Sequence, residues 1–186
     1  MGELSDPETW VDQYGDYLYR FALSRVRDSS VAEDLVQETL VAGLQAQNSF
    51  KGRSSERTWF TSILKNKIVD HFRKINRDQV VDEIESSNEF MDGLFDETGH
   101  WKAGPAKWTV NPNELLDRKE FWKVLSRCLS ELSTLMARAF MLREMDGLNT
   151  EEICKVLNIS ATNCWVLLHR ARMSLRQCLE INWFHV

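Results

Sequence analysis

Phe60, Leu64, Ile68, Phe72 and Ile75 recur at steps of three and four. Few patterns constrain a chain more: such a stripe predicts one long amphipathic helix that must bury one face. The opposite face carries Ser62, Asn66, Arg73 and Arg77, with Trp59 and Asp70 at its edge. A short polar loop, Lys51-Gly52-Arg53-Ser54-Ser55, leads into it. Residues 51–77 hold eight cationic side chains against Glu56 and Asp70, in a chain whose net charge is −5. A solvated face over a core stripe accounts for the apolar positions. It does not account for a basic block in an acidic protein. Cations that hold phosphates, beside rings that stack on unpaired bases, suit a single-stranded nucleic acid.

The remaining charge also runs in blocks. Residues 1–50 and 78–120 are acidic, and residues 121–186 are mildly basic. An acidic protein with two local basic faces can engage DNA in register and avoid it elsewhere. At 186 residues the chain is long enough for one domain or two small ones. No apolar run approaches the roughly 20 residues of a membrane helix. The acidic N-terminus lacks a signal-peptide layout, so a cytoplasmic protein is expected. Cys128, Cys154, Cys164 and Cys178 stand singly in helical patterns, and reduced, buried thiols are the expectation. His71, His100, His169 and His185 show no metal-ligand spacing, and no cofactor is implied.

Helix punctuation is legible along the rest of the chain. Asp6-Pro7-Glu8 opens a first helix with Trp10, Tyr14, Leu18 and Val26 on its apolar face. Ser30 and Glu33 read as a capping box for a second, whose Val31, Leu35, Leu40 and Leu44 continue the core. Glu33, Asp34, Gln37 and Glu38 make its outer face acidic. Three antiparallel helices with short links form a bundle. Residues 78–111 are acidic and rich in glycine and proline, and read as a linker despite Phe90, Phe95, Trp101 and Trp108. Asn111-Pro112 starts another helix, Ser133 caps the next, and Gly147 stops it. Asn149 and Glu152 form a capping box, Asn158 marks a left-handed turn, and Ser160 caps a longer helix carrying Arg170, Arg172 and Arg176. Helix, short turn, longer helix is a helix-turn-helix layout, whose second helix enters the major groove by its N-terminal turns. The fold class is therefore all-α: an N-terminal bundle over residues 1–77, a linker over 78–111, and a helix-turn-helix domain over 112–186.

Three motifs in this order resemble bacterial extracytoplasmic-function sigma factors of the sigma-70 family. Residues 30–44 (SVAEDLVQETLVAGL) resemble the family's polymerase-binding helix. Residues 50–73 (F-x-G-x-S…TWF…N…D-x-x-R) resemble its promoter-melting and minus-ten segment. Residues 149–175, with E-E-I-C-K-V-L-x-I-S and H-R-A-R-x-x-L-R, resemble its minus-thirty-five reader. The resemblance implies a non-enzymatic promoter-specificity subunit that joins core RNA polymerase and is held in check by an anti-sigma factor. It assigns Glu33, Asp34, Leu35, Gln37 and Glu38 to the beta-prime clamp. It assigns Lys51, Arg53, Ser54, Arg57, Trp59, Ser62, Asn66, Arg73 and Arg77 to the minus-ten strand. Ser160, Ala161, Thr162, Trp165 and His169 go to the upstream element, and Arg170 and Arg172 to phosphate or the beta flap. Asp70 orients a neighbouring arginine or amide, and Trp183-Phe184 with the linker aromatics face the inhibitor. One departure stands out. Asn163-Cys164-Trp165-Val166-Leu167 occupies the place of a Thr-Val-Lys-Ser-Arg-like run, which predicts an unusual upstream element or fewer phosphate contacts. The competing reading is a free-standing helix-turn-helix regulator whose N-terminal bundle dimerises or senses a ligand.

Overall fold

Four of the five stripe positions are buried: Phe60 and Leu64 are fully enclosed, Ile68 and Phe72 are 1% exposed, and Ile75 is half-buried. The structure is a computed structural model that describes residues 4–76 and 119–184. Among the described residues every regular element is helical. They fall into two units, one within residues 1–78 and one within 79–186. Arg77, the linker over 78–111 and the helix start at Asn111-Pro112 lie outside the described residues.

In the first unit Asp6 accepts from the Glu8 amide and opens one 3-10 turn, Pro7–Thr9. Helix α1 (Trp10–Val26) follows and ends where Arg27 turns left-handed at φ 59°. That turn delivers Asp28 in an extended conformation, and its carboxylate accepts from the Ser30 and Val31 amides at 2.9 and 3.1 Å. Asp28, and not the expected Ser30, therefore caps α2 (Ser29–Ala46). Helix α3 (Glu56–Asn76) closes the bundle. Trp10, Leu18 and Val26 of α1 and Ala32, Leu35 and Val36 of α2 are buried along with the α3 stripe, and the Trp10 ring meets Phe60. Burying each large side chain contributes roughly 1.5–3 kcal/mol. Leu44, expected in the core, is 44% exposed. It falls on the side of α2 turned away from Thr39 and Gly43, the buried positions that face the bundle. Gly43 is needed at the α2–α3 approach, because an added Cβ would lie 2.5 Å from Phe60 Cε1.

The second unit holds α4 (Lys119–Glu131), α5 (Thr134–Phe140), α6 (Thr150–Leu157) and α7 (Ala161–Leu179). A π-helical turn, Met141–Met145, follows α5, and another, Glu180–Phe184, follows α7. Ser133 caps α5, and Gly147 sits at φ 76°, as the sequence predicts. Phe121, Cys128, Leu132, Ala137, Ala171, Leu175 and Leu179 form a core beneath Trp183 and Phe184. The expectation of four free thiols fails here. Cys128 of α4 and Cys178 of α7 form a disulfide across a Cα–Cα distance of 5.7 Å. Their separation of 50 residues hides this pairing, because periodicity shows that a side chain faces inward but not what it meets. Cys154 and Cys164 stay unbridged. Burial, with Cys154 alongside, pushes the Cys164 thiol up to about 11, so it stays protonated.

Candidate nucleic-acid interface

The start of α3 is built from local polar geometry. Gly52 takes a positive φ of 63° in the loop, and Ser55 Oγ accepts from the Thr58 amide at 3.2 Å. The Phe50 ring lies 5.2 Å from Trp59, which in turn lies 5.1 Å from Phe60. These contacts fold the loop back on the helix and leave Lys51, Arg53, Ser54 and Arg57 exposed. Further along α3, Ser62, Asn66 and Arg73 share the exposed face, and Trp59 is half-buried at its edge. Asp70 accepts from Arg73 Nη1 at 3.3 Å, the orienting role expected of it. Lys67 is drawn to the side, where it pairs with Glu38 at 3.1 Å.

Sequence reasoning missed what anchors this helix. Glu56 Oε1 accepts from the Ser5 amide at 2.7 Å. Its Oε2 accepts from Ser5 Oγ at 2.6 Å and from Tyr14 Oη at 2.7 Å. Trp10 Nε1 donates to the Ser5 carbonyl, and the Trp10 ring packs edge-on against Phe60 at 4.9 Å. Burial alone would raise the Glu56 carboxyl, but the Ser5 and Tyr14 donors outweigh it and hold the group below its ordinary value. Burial and the Glu56 charge keep Tyr14 protonated. The only foresight available was an acid in a basic block at the first turn of a helix.

On α2, Glu33, Asp34, Gln37 and Glu38 are exposed, whereas Leu35 is 5% exposed. Leu35 is thus packed in the core of the unit, on the same turn as Val36 beneath the acidic face. Glu33 and Gln37 rim a groove of about 520 Å³ with Asp16 and Tyr19 of α1, floored by Val36 and Leu40.

In the helix-turn-helix, the Asn149–Glu152 capping box forms in both directions, at 3.0 and 2.7 Å. Asn158 is left-handed at φ 55°, and Ser160 Oγ accepts from the Asn163 amide. Ser160, Ala161, Thr162, Trp165, His169 and Arg172 are exposed along one side of α7, with Trp165 58% exposed. The arginines behave otherwise. Arg170 is 7% exposed and sits among buried Leu168 and Ala171, away from the exposed side of α7. Arg172 pairs with Glu144 at 2.6 Å. Arg176 pairs with Glu180 at 3.5 Å, both largely buried. Trp183 packs on Phe121 at 5.5 Å.

Residues 10–78 match the family model for sigma-70 region 2, and residues 123–175 match that for sigma-70 region 4. A Haemophilus influenzae protein named "Probable RNA polymerase sigma factor" is 36% identical over 97% of this chain and 92% of its own length. The Escherichia coli ECF RNA polymerase sigma-E factor is 30% identical over 82% of this chain and 76% of its own. The Bacillus subtilis ECF RNA polymerase sigma factor SigX is 28% identical over 91% and 81%. With one basic, ring-edged helix, one helix-turn-helix and this likeness along nearly its full length, the chain belongs to the extracytoplasmic-function sigma factors of the sigma-70 family.

Proposed function

We propose that the two units divide a sigma factor's work as follows. The chain is an initiation factor that brings core RNA polymerase to promoter DNA, and it is not an enzyme. Residues 1–77 bind the polymerase and hold the minus-ten element. The acid-rimmed groove between α1 and α2, with Glu33, Asp34, Gln37 and Glu38, docks a basic or apolar segment of the beta-prime clamp. The loop at Lys51, Arg53 and Ser54, together with Arg57, Trp59, Ser62, Asn66 and Arg73, receives the separated strand. Residues 112–186 read the minus-thirty-five element through Ser160, Ala161, Thr162, Trp165 and His169 of α7, and meet the beta flap. Unpairing a base costs a few kcal/mol, which stacking and phosphate contacts must offset.

The observation that carries this reading is the exposed cationic face of α3 above a buried apolar stripe. An anti-sigma partner is part of the proposal. The packing of Trp183 and Phe184 on their own unit leaves the more exposed Trp122 and Ile181 as that partner's apolar contacts. A cytoplasmic location fits: among the described residues no helix is long and apolar enough to cross a membrane. Run-off transcription with purified core polymerase tests the whole reading. Transcripts must start at new positions when the chain is added, and unchanged start sites would sink it.

A further inference from the structure

The bridge between Cys128 and Cys178 is placed where a change in its state reaches one unit only. The ring it closes, residues 129–177, holds α5, α6 and nearly all of α7, so the whole helix-turn-helix lies inside it. Residues 1–78 contain no cysteine. In the core at the bridge, Cys128, Ala137 and Ala171 stand beside Phe121, Leu132, Leu175 and Leu179. A unit this small is marginal, and a cross-link that restrains its unfolded chain shifts the balance. The two sulfurs differ in access. Cys128 is 1% exposed, whereas Cys178 is half-buried. Asn182 Nδ2 donates to Cys178 Sγ at 3.4 Å. Glu131 Oε2 lies 3.4 Å from the same sulfur, in place to accept the thiol proton once the bridge opens. Cys178 is therefore the sulfur that a reagent reaches, and Cys128 is the partner that closes or leaves the bond.

We infer that Cys128 and Cys178 form a reversible thiol switch that sets how well the second unit holds the upstream promoter element, the bridged form being the stronger binder. The inference rests on the proposed reading, because it takes the second unit as the upstream reader. In a cytoplasm thiols are kept reduced, and a bridge that forms there serves redox sensing. Closure is an oxidation by a peroxide. The Cys178 sulfur attacks one peroxide oxygen, the O–O bond breaks, and a sulfenic acid and water result. The Cys128 sulfur then displaces a second water and the disulfide closes. Opening takes a dithiol. Its thiolate attacks Cys178 Sγ, and Cys128 leaves and takes a proton. The second thiol then frees Cys178, and the reagent closes to its own disulfide. Trp165 lies about 20 Å from Cys178 along α7, so the bridge acts on DNA through the folded fraction of the unit and not by contact.

The full chain is oxidised with hydrogen peroxide or reduced with dithiothreitol, freed of reagent under argon, and only then joined to core polymerase. Alkylation in denaturant, read by mass spectrometry, should label Cys128 and Cys178 in the reduced sample alone. The reduced holoenzyme should bind a duplex promoter carrying both elements about tenfold more weakly, as a folded fraction of about one in ten gives. A fork-junction probe carrying only the minus-ten element should bind both forms equally. Fresh peroxide should restore the stronger binding. The double variant Cys128→Ser with Cys178→Ser should stay at the reduced level and ignore both reagents. The inference is overturned if the two forms bind the two-element promoter alike, or if the minus-ten probe loses as much. It is also overturned if peroxide restores nothing, if the double variant still responds, or if both cysteines are labelled in the oxidised sample. The wild-type arms need no variant to fold. The sigma reading fails separately, by oxidised wild-type holoenzyme starting no transcript from the intact promoter.

Discussion

Helices α3 and α7 are each amphipathic, each lead a face that the proposal gives to nucleic acid, and each carry several cations. They use those cations in opposite ways. Around α3, Lys51, Arg53, Arg57, Arg73 and Lys74 stand in solvent, and the pair between Arg73 and Asp70 is exposed and so worth little. On α7, Arg170 is buried, Arg172 is taken by Glu144, and Arg176 lies with Glu180 under cover. A count of positive residues treats the two helices as equals. In the proposed reading this placement makes α3 the phosphate grip and leaves α7 with the hydroxyls of Ser160 and Thr162, an amphipathic ring and an imidazole. The missing lysine and arginine at the start of α7, noticed as a departure in the sequence, are therefore not made good by the arginines further along. The two units also differ in what holds them. The first relies on packing around Phe60, and the second adds a covalent bridge.

That second contrast gives the largest expected effect. Closing a loop of 50 residues stabilises by about 4 kcal/mol in the chain-entropy picture. Replacing Cys128 and Cys178 together by serine, or adding a reductant, should lower the protection of amides in residues 119–184 against hydrogen exchange. Amides in residues 4–76, where no cysteine lies, should hold theirs. Equal losses in both units would remove the contrast.

Next in size is Gly43→Ala. The Phe60 ring that the new methyl meets is fully buried and flanked by Trp10, Tyr14 and Trp59, so it has nowhere to turn. Overpacking of this kind costs about 1–3 kcal/mol. Denaturant unfolding followed in the first unit should show it, and the second unit should be untouched.

The charge contrast itself predicts a smaller, diagnostic difference. Neutralising Lys51, Arg53 or Arg73 should each lower the salt slope of holoenzyme binding to melted promoter by about 0.7. Arg172→Ala should lower that slope less, because Glu144 holds its guanidinium at 2.6 Å, closer than Asp70 holds Arg73 at 3.3 Å. A slope that fell as much for Arg172→Ala would show that this arginine leaves its partner for phosphate.

How much of this could be read beforehand depended on the range of the interaction. Helices, caps and turns are written within four residues, so Asp6, Ser133, Asn149, Asn158 and Ser160 were legible. Asp28 was missed because three polar residues in a row compete for one cap and only the preceding turn decides. The basic face of α3 was legible, since one-signed charge and an apolar stripe share a period. The bridge between Cys128 and Cys178, the burial of Arg170 and the approach of Gly43 to Phe60 all depend on which helix lies opposite. No periodicity carries that information. Leu35 illustrates the same limit, because a motif marks the helix as functional without saying which of its side chains face outward.

The subtlest expected effect concerns the anchor that α3 has and α7 lacks. Helix α7 starts from its own Ser160, whereas α3 is tied through Glu56 to Ser5 and Tyr14, 51 and 42 residues away in sequence. The Glu56 carboxyl is held below its ordinary value in the folded chain. A group of this kind binds its proton more readily when unfolded, so folding is favoured at any pH above its unfolded value. That advantage drains away as the pH falls through the lower, folded value. Glu56→Gln keeps the shape and an acceptor oxygen but cannot titrate. The variant should therefore be less stable than wild type at neutral pH, and the two unfolding curves should converge as the solution is acidified past the carboxylate range. A gap that stayed constant with pH would mean that the Ser5 and Tyr14 contacts do not depend on the charge of Glu56. The anchor would then be a matter of shape alone, and the two helix starts would differ less than their hydrogen bonds suggest.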